Sequence, residues 1–232
     1  MNMVWGNSLQ HMESISAPGF IIHTRGRENY NLGDSALAKL TESTVGLNLL
    51  NEILRHSDHG KQVTVFVTRG MDSMTVPKPT QQQMNRLGLY HSNNEQILIE
   101  YARPLALKGR FLKGEGTSAT VYWNPDERPG ALPRHRHVTS DRQPLSSELT
   151  PISSVDTDAT VFDGPFTPTL AHELVHAMRI VKGTYTDDLT DEGRSNEERR
   201  ALGVMEYAND PISENAYRRE QGLPLRAWYP SV

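Results

Sequence analysis

Residues 167–182 read TPTLAHELVHAMRIVK, and the predicted fold and function both depend on this stretch. They contain the pattern His-Glu-x-x-His, formed by His172, Glu173 and His176. On a helix, residues four positions apart lie one above the other on the same face. Both imidazoles can therefore bind one zinc ion, and Glu173 lies beside them as the candidate general base.

The residues around this pattern predict a helix with clear ends. Thr167 is a suitable N-cap, Pro168 suits the first helical position, and Gly183 is a natural stop. Apolar residues recur at helical spacing and predict a stripe that faces a core: Leu170, Leu174, Ala177, Met178 and Val181. This agreement favours a metal-binding helix over a surface helix that carries the pattern by chance.

Composition bounds the remaining possibilities. The 232 residues fit one domain, and 36% hydrophobic and 22% charged residues are typical of an ordinary globular protein. A net charge of -4 gives no support for nucleic acid as a partner. There is no cysteine, so a zinc ion here must be held by His, Asp or Glu. No apolar run is long enough to predict a membrane span.

We expect an α+β fold: a zincin-like single domain over residues 19–232, with a small mixed or antiparallel sheet beside the metal-binding helix. Residues 1–18 are polar and predict a flexible N-terminal segment, with an export signal as the functional alternative. If the strand predicted at 117–123 is an edge strand, it can hold a substrate peptide, although a core strand fits equally well. The other predicted elements are strands at 20–23 and 63–67, one helix from Asp34 to about Arg55, a loop over 70–80, and an irregular stretch over 126–166.

The third metal ligand has to be a carboxylate, because no histidine follows His176. A catalytic zinc ion usually has three protein ligands and one open position. A helix predicted to begin at Asn196 favours the pair Glu197 and Glu198, since ligands on helices are better held than ligands in loops. The acidic candidates are Asp187, Asp188, Asp191, Glu192, Glu197, Glu198, Glu206 and Glu214.

Two residues near the C-terminal end, Arg226 and Tyr229, can donate hydrogen bonds to an oxyanion that develops on a scissile carbonyl. Taken without comparison, they favour a surface salt bridge and a packed aromatic ring over this catalytic role.

Three blocks in the last third of the chain carry a resemblance to a known family. They are HELVHA at 172–177, EERRALG at 197–203 and ENAYRREQGLPLRAWY at 214–229, with the strand end YWNP at 122–125 in addition. In this order they resemble the NleD-type bacterial effector metalloproteases, which are injected by type III secretion. The same skeleton is similar to the light chains of clostridial neurotoxins.

The resemblance implies a role for each matching residue. Glu197 corresponds to the third zinc ligand, and Glu198 to a position just outside the ligands. Glu214 corresponds to a carboxylate that orients His176 or the hydrogen bonds of the site. Arg226 and Tyr229 correspond to the donors that stabilise the transition state.

The resemblance also implies a function. We expect a zinc endopeptidase with one catalytic ion, secreted by a bacterium and active in the host cytoplasm. The expected substrate is a host signalling protein, with the activation loop of mitogen-activated protein kinases as the named target. The alternatives are a protease toxin with another host target, such as vesicle fusion proteins, and a zinc-binding interaction module without activity.

Overall fold

The structure is a computed structural model that describes residues 9–109, 111–127, 167–187 and 196–226. Within these ranges the chain forms a mixed sheet and seven α-helices, which confirms the predicted α+β class. The strands are β1 (Gln10–Glu13), β2 (Phe20–Thr24), β3 (Val63–Val67), β4 (Met74–Lys78) and β5 (Ser118–Trp123). The helices are α1 (Arg27–Thr41), α2 (Thr44–His56), α3 (Gln81–Arg86), α4 (Glu95–Ala106), α5 (Thr167–Lys182), α6 (Asn196–Leu202) and α7 (Glu214–Glu220).

The five strands lie in the order β1-β2-β3-β5-β4. The central pairs β2–β3 and β3–β5 are parallel, whereas β1 and β4 pair antiparallel with their neighbours at the two edges. Strands β2 and β3 alternate buried and half-buried residues, because one face of the sheet packs against the helices, whereas β5 is buried at four of its six positions. The predicted strands at 20–23, 63–67 and 117–123 are therefore confirmed.

Helix α5 ends at Lys182 as predicted but begins at Thr167, the residue predicted as its N-cap, and it lies at the centre of the described structure. It contacts β4 and β5 of the sheet as well as helices α1, α2, α4, α6 and α7. Its N-terminus is tied to α7 by a 2.9 Å hydrogen bond between the hydroxyls of Thr167 and Tyr217. At its C-terminus, Lys182 donates to Glu52 of α2 at 2.7 Å. The helix that carries the motif is thus held on several sides, as a precise site requires.

The single helix predicted from Asp34 to Arg55 is wrong, because the chain breaks it at Glu42–Ser43. Ser43 is the N-cap of α2, and its hydroxyl accepts a hydrogen bond from the amide of Gly46. Asp34 lies inside α1 and does not cap it. Its carboxylate instead accepts hydrogen bonds from the hydroxyls of Ser14 and Ser16, which fix the segment before β2.

The loop predicted over 70–80 is also wrong, since it contains the edge strand β4. Strand β5 lies between β3 and β4, so the proposal that it is an edge strand is wrong as well. Pro77 lacks an N–H donor and is tolerated in β4 because this strand is at the edge. The edge nearest the metal-binding helix is therefore β4, which packs against both α5 and α4.

Strand β1 falls within the stretch 1–18 and pairs with β2. The domain boundary at residue 19 and the flexibility of the preceding segment remain predictions, and residues 1–8 lie outside the described part. So does most of the predicted irregular stretch, from residue 128 to 166. Among the described helices, none combines the length and apolar character of a transmembrane span.

Gly116 and Gly183 let the chain before β5 pass directly against the end of α5. Gly116 has a φ of +77°, and a Cβ there would lie 2.1 Å from the carbonyl oxygen of Val181. Gly183 has a φ of +70°, and its Cβ would lie 2.1 Å from the carbonyl oxygen of Gly114. Both positions therefore need glycine for its backbone conformation and for space.

We expect Gly116→Ala to lower the free energy of unfolding by about 3 kcal/mol or more, because backbone strain and overpacking add. Gly88→Ala is the matched control, since Gly88 has a φ of +70° with no atom within 4 Å of its Cβ position. This control should lose only about 1–2 kcal/mol. Urea unfolding measures the free energy of unfolding of both variants. Equal decreases would show that the end of α5 leaves room for a Cβ at position 116.

Candidate metal centre

Three side chains from α5 and α6 point their donor atoms at one place. The Nε2 atoms of His172 and His176 are 3.1 Å apart. Glu198 of α6 places Oε2 3.2 Å from Nε2 of His172 and Oε1 3.3 Å from Nε2 of His176. These three residues form the group in the described chain whose donor atoms lie close enough together to hold a metal ion.

The other nitrogen of each imidazole faces a buried carboxylate. Nδ1 of His172 lies 3.0 Å from Oε2 of Glu214, and Nδ1 of His176 lies 3.7 Å from Oε1 of Glu197. A carboxylate behind a ligating histidine fixes the ring orientation and makes the ligand more basic. The Nε2 atoms of both rings therefore point towards the carboxylate of Glu198. The resemblance left open which contact Glu214 makes; in the structure it contacts His172, not His176.

Glu197 lies behind the converging atoms, not among them. It is fully buried, and its carboxylate accepts hydrogen bonds from Nε of Arg179 and, at 3.0 Å, from the amide of Thr186. These contacts join the start of α6 to the end of α5 and to the segment that follows α5. Neighbouring residues on a helix point about 100° apart. Glu197 and Glu198 therefore cannot both face the histidines from the same side.

Exposure shows where the centre opens to solvent. The side chains of His172 and His176 are 10% and 7% exposed, whereas that of Glu198 is 40% exposed. Among the described residues, the centre is therefore most exposed to solvent on the Glu198 side. A catalytic metal site needs such an open position, whereas a structural site is closed.

The electrostatics of this pocket favour positive charge. Burial lowers the pKa of His172, but hydrogen bonds to Glu198 and Glu214 outweigh it and raise the pKa to about 9. Burial also lowers the pKa of His176, yet the charge of Glu198 and the contact with Glu197 raise it well above its ordinary value. Conversely, burial raises the pKa of Glu198, but the two histidines bring it well below the usual range. The surrounding carboxylates thus favour positive charge, and a metal ion bound here would replace the protons of the two imidazoles.

Glu173 lies in the helical turn between the two histidines and is buried. Burial raises the pKa of its carboxyl, and the neighbouring histidines only partly oppose this effect. A raised pKa suits a group that has to accept a proton and then release it near neutral pH. Its carboxylate accepts a 2.8 Å hydrogen bond from the hydroxyl of Thr75, a residue of the edge strand β4.

The remaining predicted residues divide into three groups. Arg226 lies at the site, where Nη1 donates to Oε2 of Glu214 at 2.8 Å. Asp187 and Glu206 lie elsewhere, beside Arg103 and Arg199 respectively. Tyr229, Asp188, Asp191 and Glu192 are outside the described residues.

Three residues that the sequence analysis did not single out support the centre. Arg179 follows His176 by three positions and Arg218 follows Glu214 by four, so both could have been found from helical spacing. Thr75 is distant in sequence and carries no such signal.

Glu214 holds together His172, Arg218 and Arg226, and we expect Glu214→Gln to be strongly destabilising. Glu214 and Arg218 have side chains only 1% and 4% exposed, with Nε of Arg218 2.7 Å from Oε1 of Glu214. Removing one partner of a buried pair leaves an uncompensated charge, which costs about 3–5 kcal/mol. Urea unfolding at neutral pH measures the loss. Glu206→Gln is the control, because this half-exposed residue lies 3.8 Å from Arg199 and should cost about 1 kcal/mol or less.

The same variant should change the dependence of stability on pH. Burial raises the pKa of Glu214, but His172 and Arg226 outweigh it and lower the pKa from 4.5 to about 2. A lowered pKa contributes stability that is present above pH 4.5 and is lost as the pH falls towards 2. The parent should therefore lose stability more steeply than Glu214→Gln in this interval. Parallel curves would contradict this role of Glu214.

Comparison with known proteins agrees with the geometry. None of the curated proteins compared with the chain matches it. A family model described as an effector protein, peptidase family M91, matches residues 22–229 and so spans both the sheet and the candidate centre. This is the NleD-type family that the three C-terminal blocks resemble. The chain belongs to the M91 peptidase family of effector proteins.

Proposed function

We propose that this protein is a zinc-dependent endopeptidase that a bacterium delivers into host cells, where it cleaves a signalling protein. One observation carries the proposal: two imidazole Nε2 atoms and the Glu198 carboxylate converge, while a buried carboxylate backs each imidazole. Membership of a peptidase family of effectors supports the class of reaction and the delivery to a host.

We assign His172, His176 and Glu198 as the zinc ligands. Two imidazole nitrogens and one carboxylate oxygen, with one side open, are the donor set of a catalytic zinc site. This assignment exchanges the roles that the resemblance implied for the glutamate pair. Glu198 offers its carboxylate to both Nε2 atoms, whereas Glu197 uses its oxygens for Arg179 and Thr186. Glu197 then orients His176 from behind.

A zinc ion held here would lower the pKa of water towards about 7 and polarise the scissile carbonyl. Residues of the chain transfer the proton and orient the proposed ligands. A carboxylate oxygen of Glu173 accepts a proton from the attacking water and delivers it to the leaving amine nitrogen. His172 keeps its orientation because its Nδ1 atom lies at hydrogen-bond distance, 3.0 Å, from Glu214. The Glu197 carboxylate lies 3.7 Å from Nδ1 of His176, which is ion-pair distance, and favours the same orientation of that ring by its charge.

Arg226 is our candidate donor to the oxyanion. It is one-third exposed and reaches the wall of the centre through Glu214. A guanidinium has five N–H donors in a planar fork, so the bond to Glu214 positions the group and leaves donors for a substrate carbonyl. Tyr229 remains the second proposed donor from the resemblance alone.

The substrate and the route of delivery rest on family membership and on the resemblance. We propose the activation loop of host mitogen-activated protein kinases as the cleaved segment, type III secretion as the route and the host cytoplasm as the place of action.

The test is digestion of a host-cell lysate with zinc-loaded protein, in parallel with Glu173→Gln. Mass spectrometry of new N-termini should reveal cuts in kinase activation loops only with the parent. Cuts confined to other proteins would overturn the proposed target and retain the protease. Bound zinc without any cut in the lysate or in a peptide library would overturn the protease and favour the silent binding module.

A further inference from the structure

One contact joins the edge strand of the sheet to the proposed general base. The hydroxyl of Thr75 in β4 lies 2.8 Å from Oε2 of Glu173 and 2.9 Å from the backbone carbonyl oxygen of the same residue. Thr75 and Glu173 are 98 positions apart in the sequence. A contact between residues so far apart in the sequence forms only because the fold brings β4 beside α5.

The sheet fixes the direction of this hydroxyl. Thr75 is paired with Val121 of β5, and Val121 is buried among the core residues that pack under the helices. Residues paired across two strands lie on the same face, so Thr75 faces α5. Threonine is branched at Cβ and has a restricted χ1 angle, which holds the hydroxyl in place.

The two acceptors make the contact suited to a residue that exchanges a proton. A hydroxyl has one proton to donate and two lone pairs to accept with. Before proton transfer, Thr75 can donate to the charged carboxylate of Glu173. After transfer, it can accept from the protonated carboxyl and donate to the backbone carbonyl. The side chain of Glu173 can thus keep a partner through both half-reactions.

We propose that Thr75 is a positioning residue for catalysis, which holds the Glu173 carboxylate in its reactive orientation. The proposal rests on the function proposed above and adds a requirement to it: the edge strand must be in place before the base is aligned. Thr75 acts through Glu173, since the hydrogen bonds of its hydroxyl go to that residue, which is not among the proposed ligands.

The experiment compares Thr75→Val, which keeps the shape of the side chain and removes the hydroxyl, with Thr75→Ser, which keeps the hydroxyl. With zinc loaded, Thr75→Val should lower kcat about 10- to 100-fold, the effect of one hydrogen bond to a charged group. The KM value and the zinc content should stay within about twofold of the parent, since neither substrate nor metal is contacted. Thr75→Ser should restore kcat to within a few-fold of the parent.

Thr64→Val is the matched control. Thr64 is a half-buried strand residue whose neighbours Val63 and Val65 face the core, so it lies on the opposite face of the sheet. The same chemical change there should leave kcat unaltered. Equal losses in Thr64→Val and Thr75→Val, or a failure of Thr75→Ser to recover activity, would overturn the positioning role.

A second readout does not use activity. In the metal-free protein, urea unfolding of Thr75→Val, Glu173→Ala and the double variant should be non-additive, with the double variant losing less than the two single losses combined. Additive losses would overturn the contact while leaving the protease proposal intact. Non-additive losses, in a parent that cuts no faster than Glu173→Ala, would instead overturn the proposed function and with it the role of Thr75.

Discussion

Replacing Glu173 by glutamine is expected to reduce peptide hydrolysis by about 100- to 10,000-fold while the protein keeps its zinc. The carboxylate is the proposed acceptor of the proton from water, and general acid–base catalysis contributes about 10²–10⁴-fold. Glutamine has nearly the same volume and can still accept a hydrogen bond from Thr75, but it cannot take up a proton. Glu173→Ala should show the same loss with an additional small cavity.

The measurement combines single-turnover peptide cleavage with metal analysis of the same samples. A loss of both activity and zinc would assign Glu173 to metal binding and contradict its role as the base. Activity close to that of the parent would remove the proposed mechanism altogether. His172→Ala is the reference for a variant that should lose the metal itself.

Glu198→Ala is expected to affect mainly zinc affinity, whereas Glu197→Ala is expected to affect mainly the stability of the metal-free protein. Glu198→Ala removes a proposed ligand, so zinc affinity should fall by more than the roughly 10- to 100-fold typical of a residue outside the ligands. Its effect on unfolding of the metal-free protein should be smaller than that of Glu197→Ala, because the Glu198 side chain is 40% exposed whereas that of Glu197 is fully buried. Zinc titration against a chelator of known affinity measures the first effect.

Glu197→Ala should do the reverse. Its side chain is fully buried beside Arg179, whose side chain is 14% exposed, and removal leaves that guanidinium without its partner carboxylate. We expect the metal-free protein to lose about 3 kcal/mol or more of unfolding free energy. Zinc affinity should fall only about 10- to 100-fold through the weaker hold on His176. If Glu197→Ala lost the metal and Glu198→Ala kept it, the resemblance would be correct and our assignment wrong.

The sequence predicted the metal-binding helix to within one residue, because the apolar spacing, the motif and the Gly183 stop are all local signals. It also located the glutamate pair at the start of a second helix. It did not distinguish Glu197 from Glu198, because that choice depends on how α6 is rotated against α5. Such a rotation is set by packing between elements that are distant in the chain.

Two errors in the predicted fold arose because the local sequence pattern did not reveal the features that determine the structure. Strand β4 is short, contains Pro77 and gains its partner β5 only 40 or more positions later, so its local pattern resembles a loop. The break between α1 and α2 depends on the Ser43 cap and on Gly46, where a Cβ would lie 2.3 Å from the carbonyl oxygen of Leu40. The Thr75–Glu173 contact was not predictable, because it needs both β4 and the final arrangement of the sheet.

The central claim is that His172, His176 and Glu198 hold one zinc ion. The most direct test is a crystal structure of zinc-loaded protein with diffraction data recorded on both sides of the zinc absorption edge. We predict one anomalous peak about 2.0–2.2 Å from Nε2 of each histidine and from an oxygen of Glu198, with Glu197 still bound to Arg179. A peak liganded by Glu197 in place of Glu198, or no peak between the histidines, would contradict the account.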